Sequence, residues 1–357
     1  MRRGTIVSET VARHVIPVCF FAIFAAWTVI TPVAAQSVSG DQYTASRTAW
    51  GHPDFEGIWT METFTPLERP GHLGDQELYT DAEFDELQRL LTASGVDPLA
   101  GNVLALEDVE ARESRLYQDN RNGIHYDNAL WLRGNTPKGL SSRRTSLIVA
   151  PSTGRLPART EAAVMADAER RELRRDHQFD SLQMRPFSER CVVWPHEGPP
   201  MVPPAYNDLM QIMQIPGYVV MFQEMRTNQA RIIPIDGRPH ISDRIRQFAG
   251  DSRGYWKGDT LVVESTNFTG KTRFQRVATA AMHVVERFTR VAENSILYEF
   301  TVTDPDAWVA PWSVEIPMMR RNEEMYEYAC HEGNHDIGNI LTIHRNIDKQ
   351  VEDTEGR

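Results

Sequence analysis

The clearest pattern in the chain lies in its second half, where short apolar runs alternate with polar breaks. Residues 209–215, 218–225 and 231–235 are such runs, set apart by Pro216-Gly217 and a polar stretch. Residues 254–256 and 260–265 flank Lys257-Gly258-Asp259, which is a hairpin signal. Further runs at 283–291, 295–303, 312–320 and 326–330 are punctuated by Asn294, Asp304-Pro305 and Arg321-Asn322. With no helical periodicity between them, these amount to about nine strands in about 120 residues. That spacing predicts an antiparallel meander closing into a barrel or sandwich.

The first half reads differently. Gly57-Ile58-Trp59-Thr60 is one short strand candidate in a polar, Pro- and Gly-marked stretch. From Asp81 to about Asn120 the pattern turns helical, with Phe84, Leu87, Leu90 and Leu91 at three- and four-residue steps. Residues 146–150 form a buried strand candidate ending at Pro151, and residues 160–176 a second helix with Thr160 as its N-cap and basic residues near its end. The predicted organisation is a leader (1–35), an N-terminal segment with the first strand (36–80), a helical insertion with one strand (81–180), the β-meander (181–345) and a polar tail (346–357).

The leader is an address. Arg2, Arg3 and Arg13 precede the apolar run 15–30, and Val33 and Ala35 stand as small residues before Gln36, so the segment reads as a cleavable secretory signal. The alternative is an uncleaved anchor, for which the run is short and is bracketed by Pro17 and Pro32. Export to the periplasm or the extracellular space follows, with no stable membrane insertion after cleavage. The formal net charge of −11 becomes −13 once Arg2, Arg3, Arg13 and Glu9 are removed. That balance argues against a nucleic-acid partner, because phosphate backbones need clustered cations. Cleavage also leaves only Cys191 and Cys330, in a compartment that permits disulfides. Two leftover cysteines in an exported protein point to a Cys191–Cys330 bridge, the alternative being two buried thiols.

Gly57-Ile58-Trp59 on an early strand, followed by a later meander, is similar to the G-x-W opening of calycin-type barrels such as lipocalins. A broader set of strings resembles a family of exported bacterial proteins whose activity is not established. They are Gly51-His52-Pro53-Asp54-Phe55-Glu56-Gly57-Ile58-Trp59, the segment 143–149, Ser188-Glu189-Arg190-Cys191, the segments 250–253 and 256–264, and Tyr328-Ala329-Cys330-His331-Glu332-Gly333-Asn334. The resemblance implies export and a β-rich fold. The expected fold is therefore mainly β: an antiparallel calycin-like barrel or closed meander with a helical insertion.

Candidate chemistry gathers in a few strings. His331-Glu332-Gly333-Asn334-His335 satisfies H-E-x-x-H, which holds zinc through His331 and His335 only if both lie one turn apart on a helix. Gly333 and Asn334 are poor helix formers, and a third ligand would come from His344, Glu352 or Glu355. A second reading needs no cofactor. A Cys191–Cys330 bridge brings His196-Glu197-Gly198 and His331-Glu332-Gly333 into one neighbourhood, where imidazoles and carboxylates share protons. The Pro-rich loop 195–207 offers Tyr206 and Asn207 beside a barrel mouth. Alternation in 283–291 puts Val284, Glu286 and Phe288 on one face and His283, Val285 and Arg287 on the other. An inward Glu286 needs a partner and becomes an acid/base candidate. The alternative is that Glu264, Glu286, Glu299 and Glu315 form a solvated outer face. Arg244, Arg246 and Arg253 form a candidate anion clamp, and Trp256 a ligand platform or, like Trp59, Trp308 and Trp312, core packing.

No Gly-rich phosphate loop follows a strand and no G-x-S-x-G elbow occurs. The leading expectation is an exported barrel enzyme doing acid–base chemistry, of lyase, isomerase or hydrolase type, on a small hydrophobic or aromatic metabolite. In it His331 accepts the proton, Glu332 orients it or acts as the acid, Tyr206 donates and Arg246 clamps an anion, with Asn207, His196 and Trp256 around the ligand. The competing expectations are a non-catalytic small-molecule-binding protein of the same fold and a metal-dependent hydrolase using His331 and His335.

Overall fold

A computed structural model describes residues 43–93, 96–97, 100–117, 138–194, 197–204, 208–224, 230–277 and 279–355. The leader lies outside the described residues, as do His196, Tyr206 and Asn207. Among the described residues, no helix is long and apolar enough to cross a membrane.

The strands are β1 (Gly57–Thr60), β2 (Ile148–Ala150), β3 (Leu209–Ile215), β4 (Tyr218–Gln223), β5 (Arg231–Pro234), β6 (Asp251–Lys257), β7 (Thr260–Thr266), β8 (His283–Ala292), β9 (Ser295–Thr303) and β10 (Trp312–Arg321). Their hydrogen-bonded order is β5-β4-β3-β1-β10-β9-β8-β7-β6, every pair antiparallel, with β2 added on β10. The two ends of this path, β5 and β6, come alongside each other without joining the ladder, so the sheet is a nearly closed antiparallel barrel.

Alternation decides what fills it. Val284, Glu286, Phe288 and Arg290 of β8 are buried, as are Ile296, Tyr298, Phe300 and Val302 of β9 and Trp312, Val314, Ile316 and Met318 of β10. Phe300 and Trp308 meet the Trp312 ring edge-on, at 5.7 and 5.5 Å between centroids, while Phe274 stacks on it at 5.7 Å. The early tripeptide of the G-x-W string takes part as well, since Trp59 is fully buried and donates from Nε1 to the Phe55 carbonyl at 2.9 Å.

The opposite face of the meander carries the remaining strand charges. Arg287 lies across from Glu299, but Glu299 also faces Glu315 in the register. Burial, and then the Glu315 charge, push the Glu299 carboxyl above its ordinary value against the pull of Arg287. Glu264, Glu299 and Glu315 thus share the outer face but are half-buried on it rather than fully solvated, and Glu286 lies on the inner face.

Glu286 is fully buried and sits at the barrel's seam. Arg231 of β5 donates from Nη1 to Glu286 Oε1 at 3.0 Å and from Nη2 to Oε2. The same guanidinium reaches Ser252 of β6 through Nε at 3.1 Å and Ser265 of β7 through Nη2 at 3.0 Å. Tyr298 of β9 donates to Glu286 Oε1 at 2.8 Å. One polar cluster thus ties together five consecutive strands across the gap in backbone pairing. Gly254 of β6 completes the seam, because a Cβ there would come within 3.0 Å of Ile233 and Ile235.

The remaining segments follow the sequence with three differences, two in helices and one in an expected strand. The pattern from Asp81 onward yields α1 (Asp81–Leu91) and α2 (Val109–Leu116) rather than one long helix. The Thr80/Glu83 capping box starts the first, and the pair covers a small core of its own around Tyr79, Leu91, Leu104 and Leu116. The second helix, α3 (Glu161–His177), begins where expected, with Thr160 Oγ1 accepting from the Ala163 N–H at 3.1 Å. Residues 326–330 form no strand, because both edges of β10 are already taken, by β9 on one side and by β1 and β2 on the other. The expected polar tail is instead the second half of α4 (Asp336–Glu355).

Removing one partner of the seam pair leaves the other charge buried and uncompensated. Glu286→Ala is expected to lower unfolding free energy by about 3–5 kcal/mol, whereas the double change Arg231→Met with Glu286→Leu recovers most of it. Urea midpoints with unchanged slopes measure both. The phenol adds a pH signature. Burial, and then the Glu286 charge, hold the Tyr298 hydroxyl well above its ordinary value of 10.0. Its contribution is present below that value and is lost as pH rises past it toward the higher folded value. Unfolding free energy measured at rising alkaline pH should fall in the wild type and fall less steeply in Tyr298→Phe.

Candidate functional site

A cleft of about 610 Å³ opens where three pieces of chain meet: the last turns of α3, the segment 183–193, and the loop from β7 to β8. The α3 helix brings Arg170, Leu173 and Arg174 along one side, as i, i+3 and i+4 spacing requires. Met184, Pro186, Phe187 and Val193 give the cleft an apolar wall, and Arg185 adds a cation to it. Lys271, Arg273 and Arg276 come from the strand connection. Six cations therefore line one cavity in a chain of formal charge −11.

Only part of this charge is matched. Asp167, nearly fully buried on α3, accepts from Arg159 at 3.0 Å and from Arg273 at 3.1 Å, with Arg171 at 3.8 Å and Arg170 at 4.0 Å. Burial alone would raise its carboxyl, but the Arg159 hydrogen bond and the surrounding guanidinium charges outweigh that and hold it below its ordinary value. Glu189 takes Arg185 in a bidentate pair, at 2.8 Å to Nε and 3.0 Å to Nη2. Arg174, Lys271 and Arg276 have no carboxylate partner among the described residues. Burial lowers Arg273, and the like charges of Arg174, Arg170 and Arg276 push it the same way against Asp167. Its Nε is buried and makes no hydrogen bond among the described residues. Positive potential is thus concentrated where solvent is partly excluded, the setting in which an anion gains most.

The loop that supplies half of these cations is tightly built. Phe274 and Val277 are buried in the barrel-end core and bond each other, N–H to carbonyl, at 2.7 and 3.0 Å. Between them Gln275 and Arg276 both adopt left-handed backbone, φ 48° and 69°. That is the geometry of a two-residue hairpin turn usually made by Asn-Gly, made here without glycine. Strain retained at two adjacent positions, where the side chains line a cavity, is the kind found where a binding surface sets the sequence.

The expected site residues that are among the described ones fall in other places. Cys191 and Cys330 form the disulfide, with Cα atoms 5.7 Å apart. It fastens the segment 183–193, and so the cleft wall, to the chain just before α4. Asn334 Nδ2 reinforces the junction by donating to the Glu189 carbonyl at 3.0 Å. Of the two His-Glu-Gly segments on either side of this bridge, the first has His196 outside the described residues. Glu197 is buried and accepts from the Trp194 N–H at 2.9 Å, the backbone role, while His331 and Glu332 sit on an exposed turn. His331 and His335 precede the start of α4 at Asp336 and do not share a helix, so the spacing that gives H-E-x-x-H its zinc geometry is absent. His344, on α4, stacks on Phe179.

Glu286 points inward as one reading required, but Arg231 and Tyr298 occupy both carboxylate oxygens, and it does not line the cleft. Arg246 is exposed and donates to the Ala280 carbonyl at 2.9 Å, Arg244 is exposed, and Arg253 is paired with Asp251 at 2.7 Å. The expected anion clamp is therefore not assembled from them. Trp256 is taken up in packing, with His52 and Phe55 stacked on it at 5.2 and 5.4 Å.

The cleft's own signals were present in the sequence as Arg170-Arg171-Glu172-Leu173-Arg174-Arg175 and Lys271-Thr272-Arg273-Phe274-Gln275-Arg276. Each alone reads as a solvated charge run, and only the fold sets one against the other.

Relief of the turn strain isolates its cost. Arg276→Gly should raise unfolding free energy by about 1 kcal/mol, read from the urea midpoint, because glycine adopts left-handed backbone freely. Comparison with known protein families, with curated proteins and with solved structures finds no match to this chain.

Proposed function

We propose that this protein is an exported small-molecule-binding protein, a calycin-like barrel whose ligand is an amphipathic organic anion held in the cationic cleft. The observation that carries the reading is the set of six cations around one cavity with Asp167 and Glu189 as the carboxylates bound to them. The ligand's charged group belongs with Arg174, Lys271 and Arg276, and its apolar or aromatic body with Leu173, Met184, Phe187 and Val193. Guanidinium groups suit carboxylate, sulfonate or phosphate because their planar donors pair with two oxygens at once. Export is supported by the leader's composition and by a disulfide, which persists in oxidising compartments.

Acid–base catalysis comes second in this reading, since Glu286, His331 and Glu332 do not line the cleft. A metal-dependent reaction comes third, for want of the helical histidine pair. The family of exported bacterial proteins that the sequence strings resemble is compatible with the same role.

Paired probes test the reading. Naphthalenesulfonate should bind and give a calorimetric isotherm that weakens as sodium chloride is added, while naphthalenemethanol, the same ring without charge, should not. Arg174→Gln and Lys271→Gln should each weaken sulfonate binding about ten-fold, equivalent to about 1.4 kcal/mol. Equal affinity for the two probes, or variants indistinguishable from wild type, would overturn it.

A further inference from the structure

A second cavity, of about 310 Å³, opens beside α1 and α2 and shares no lining residue with the cationic cleft. That volume is at the lower end for ligand sites, so its occupant is small. Leu73 and Leu87 give it an apolar wall together with Leu104, a member of the small core that the two helices cover. Three polar groups border the same space: the Tyr79 phenol, the Glu83 carboxylate and the Arg112 guanidinium.

Each of the three is held in place with bonding capacity to spare. Tyr79 is 4% exposed, and Arg143 clamps its backbone. The Arg143 carbonyl accepts from the Tyr79 N–H at 2.8 Å, and Arg143 Nη2 donates to the Tyr79 carbonyl at 2.8 Å. The phenol hydroxyl makes no hydrogen bond among the described residues and keeps contact with solvent. Glu83 is fixed by the capping box. Its Oε2 accepts from the Thr80 N–H and hydroxyl, both at 2.8 Å, and from Gln76 Nε2 at 2.9 Å, which leaves Oε1 over. Arg112 donates from Nη2 to the Leu106 carbonyl at 2.7 Å, while Nη1 and the buried Nε have no partner among the described residues. Of the other polar lining groups, both oxygens of Glu86 are engaged by Arg89, and His72 is exposed.

Arg112 and Glu83 thus carry opposite charges on one cavity without pairing with each other. Tyr79 senses both. Burial raises its hydroxyl above the ordinary value, opposed by the Arg112 charge and helped by that of Glu83, so it stays a protonated donor. A cation, a carboxylate and a phenol donor set around an apolar space complement one small molecule that bears both charges beside a hydrocarbon chain.

We infer that this cavity binds an apolar α-amino acid as its zwitterion. The ligand carboxylate takes Arg112 Nη1 and the Tyr79 hydroxyl, and the ammonium takes Glu83 Oε1. The side chain lies against Leu73, Leu87 and Leu104. Neither charge of the ligand is then left without a counter-charge, which is the condition for admitting a zwitterion to a partly buried site. A molecule lacking either charge leaves one protein group desolvated and unmatched, and loses affinity on that account.

Calorimetry on the whole folded protein tests this with L-leucine and two truncated relatives: 4-methylpentanoate, without the ammonium, and 3-methylbutylamine, without the carboxylate. Leucine should bind, and each relative should bind at least about ten-fold more weakly. Arg112→Gln and Tyr79→Phe should each weaken leucine binding about ten-fold, with urea midpoints showing that the variants are folded. Leucine giving no isotherm, or either relative matching it, would overturn the inference. So would wild-type affinity in folded Arg112→Gln, because leucine would then sit elsewhere. The comparison of the three ligands uses wild-type protein alone, so it decides the matter even where a variant does not fold.

Discussion

The barrel is closed by a side chain. Backbone pairing runs unbroken from β5 round to β6 and stops there, and the Arg231 guanidinium spans the remaining gap to Ser252, Ser265 and Glu286. A buried ion pair is costly to desolvate, and its justification is seldom net stability. Here its geometry supplies a reason: the fork of donors fixes β5 against β6, β7 and β8 in one register, where a slip would carry the arginine or the glutamate to the outer face. Tyr298 extends the constraint upward, since its hydroxyl accepts from the Met201 N–H at 2.9 Å while donating to Glu286. The Pro-rich segment over the barrel end is thereby referenced to the same ion pair.

How far this was legible depends on whether a signal is local. Strand positions were readable because alternation is a property of neighbours, and β3 and β9 fall on the expected residues. The N-cap at Thr160 and the cysteine pair were readable for similar reasons, one from adjacent residues and the other from elimination. What failed required knowledge of who was already paired. Residues 326–330 alternate as a strand does, yet both edges of β10, the strand that precedes them, are already taken. The start of α4 was obscured by Gly338 and Asn339, and by reading the preceding histidines as part of a metal motif. Alternation left open whether Glu286 points inward or outward, and although an inward glutamate demands a partner, nothing local named it, because Arg231 is 55 residues away.

The cleft illustrates the same limit for chemistry. Net charge is a poor guide to a site, because exposed charges farther apart than about 8–10 Å are screened at ordinary ionic strength. A chain of charge −11 can therefore carry a strongly cationic cavity, provided its acids lie elsewhere. What makes the cavity more than a run of surface arginines is that its charges oppose one another. Arg273 is disfavoured by three neighbouring arginines, and an arrangement that works against itself is stabilised by whatever anion enters.

Rigidity completes the argument for a binding surface. The loop that presents Arg273, Gln275 and Arg276 is anchored by Phe274 and Val277, whose burial in the barrel end places Phe274 against Trp312. Alternate residues of one short segment thus serve the core and the cleft. The opposite wall is fastened by the disulfide at Cys191 and by the Arg185–Glu189 pair. A ligand entering such a cleft loses little to the ordering of protein side chains, which is where much of the gross interaction energy of flexible surfaces is spent. The left-handed backbone at Gln275 and Arg276 fits this logic: strain accepted during folding, and held by the packing of Phe274 and Val277, need not be supplied again when an anion binds.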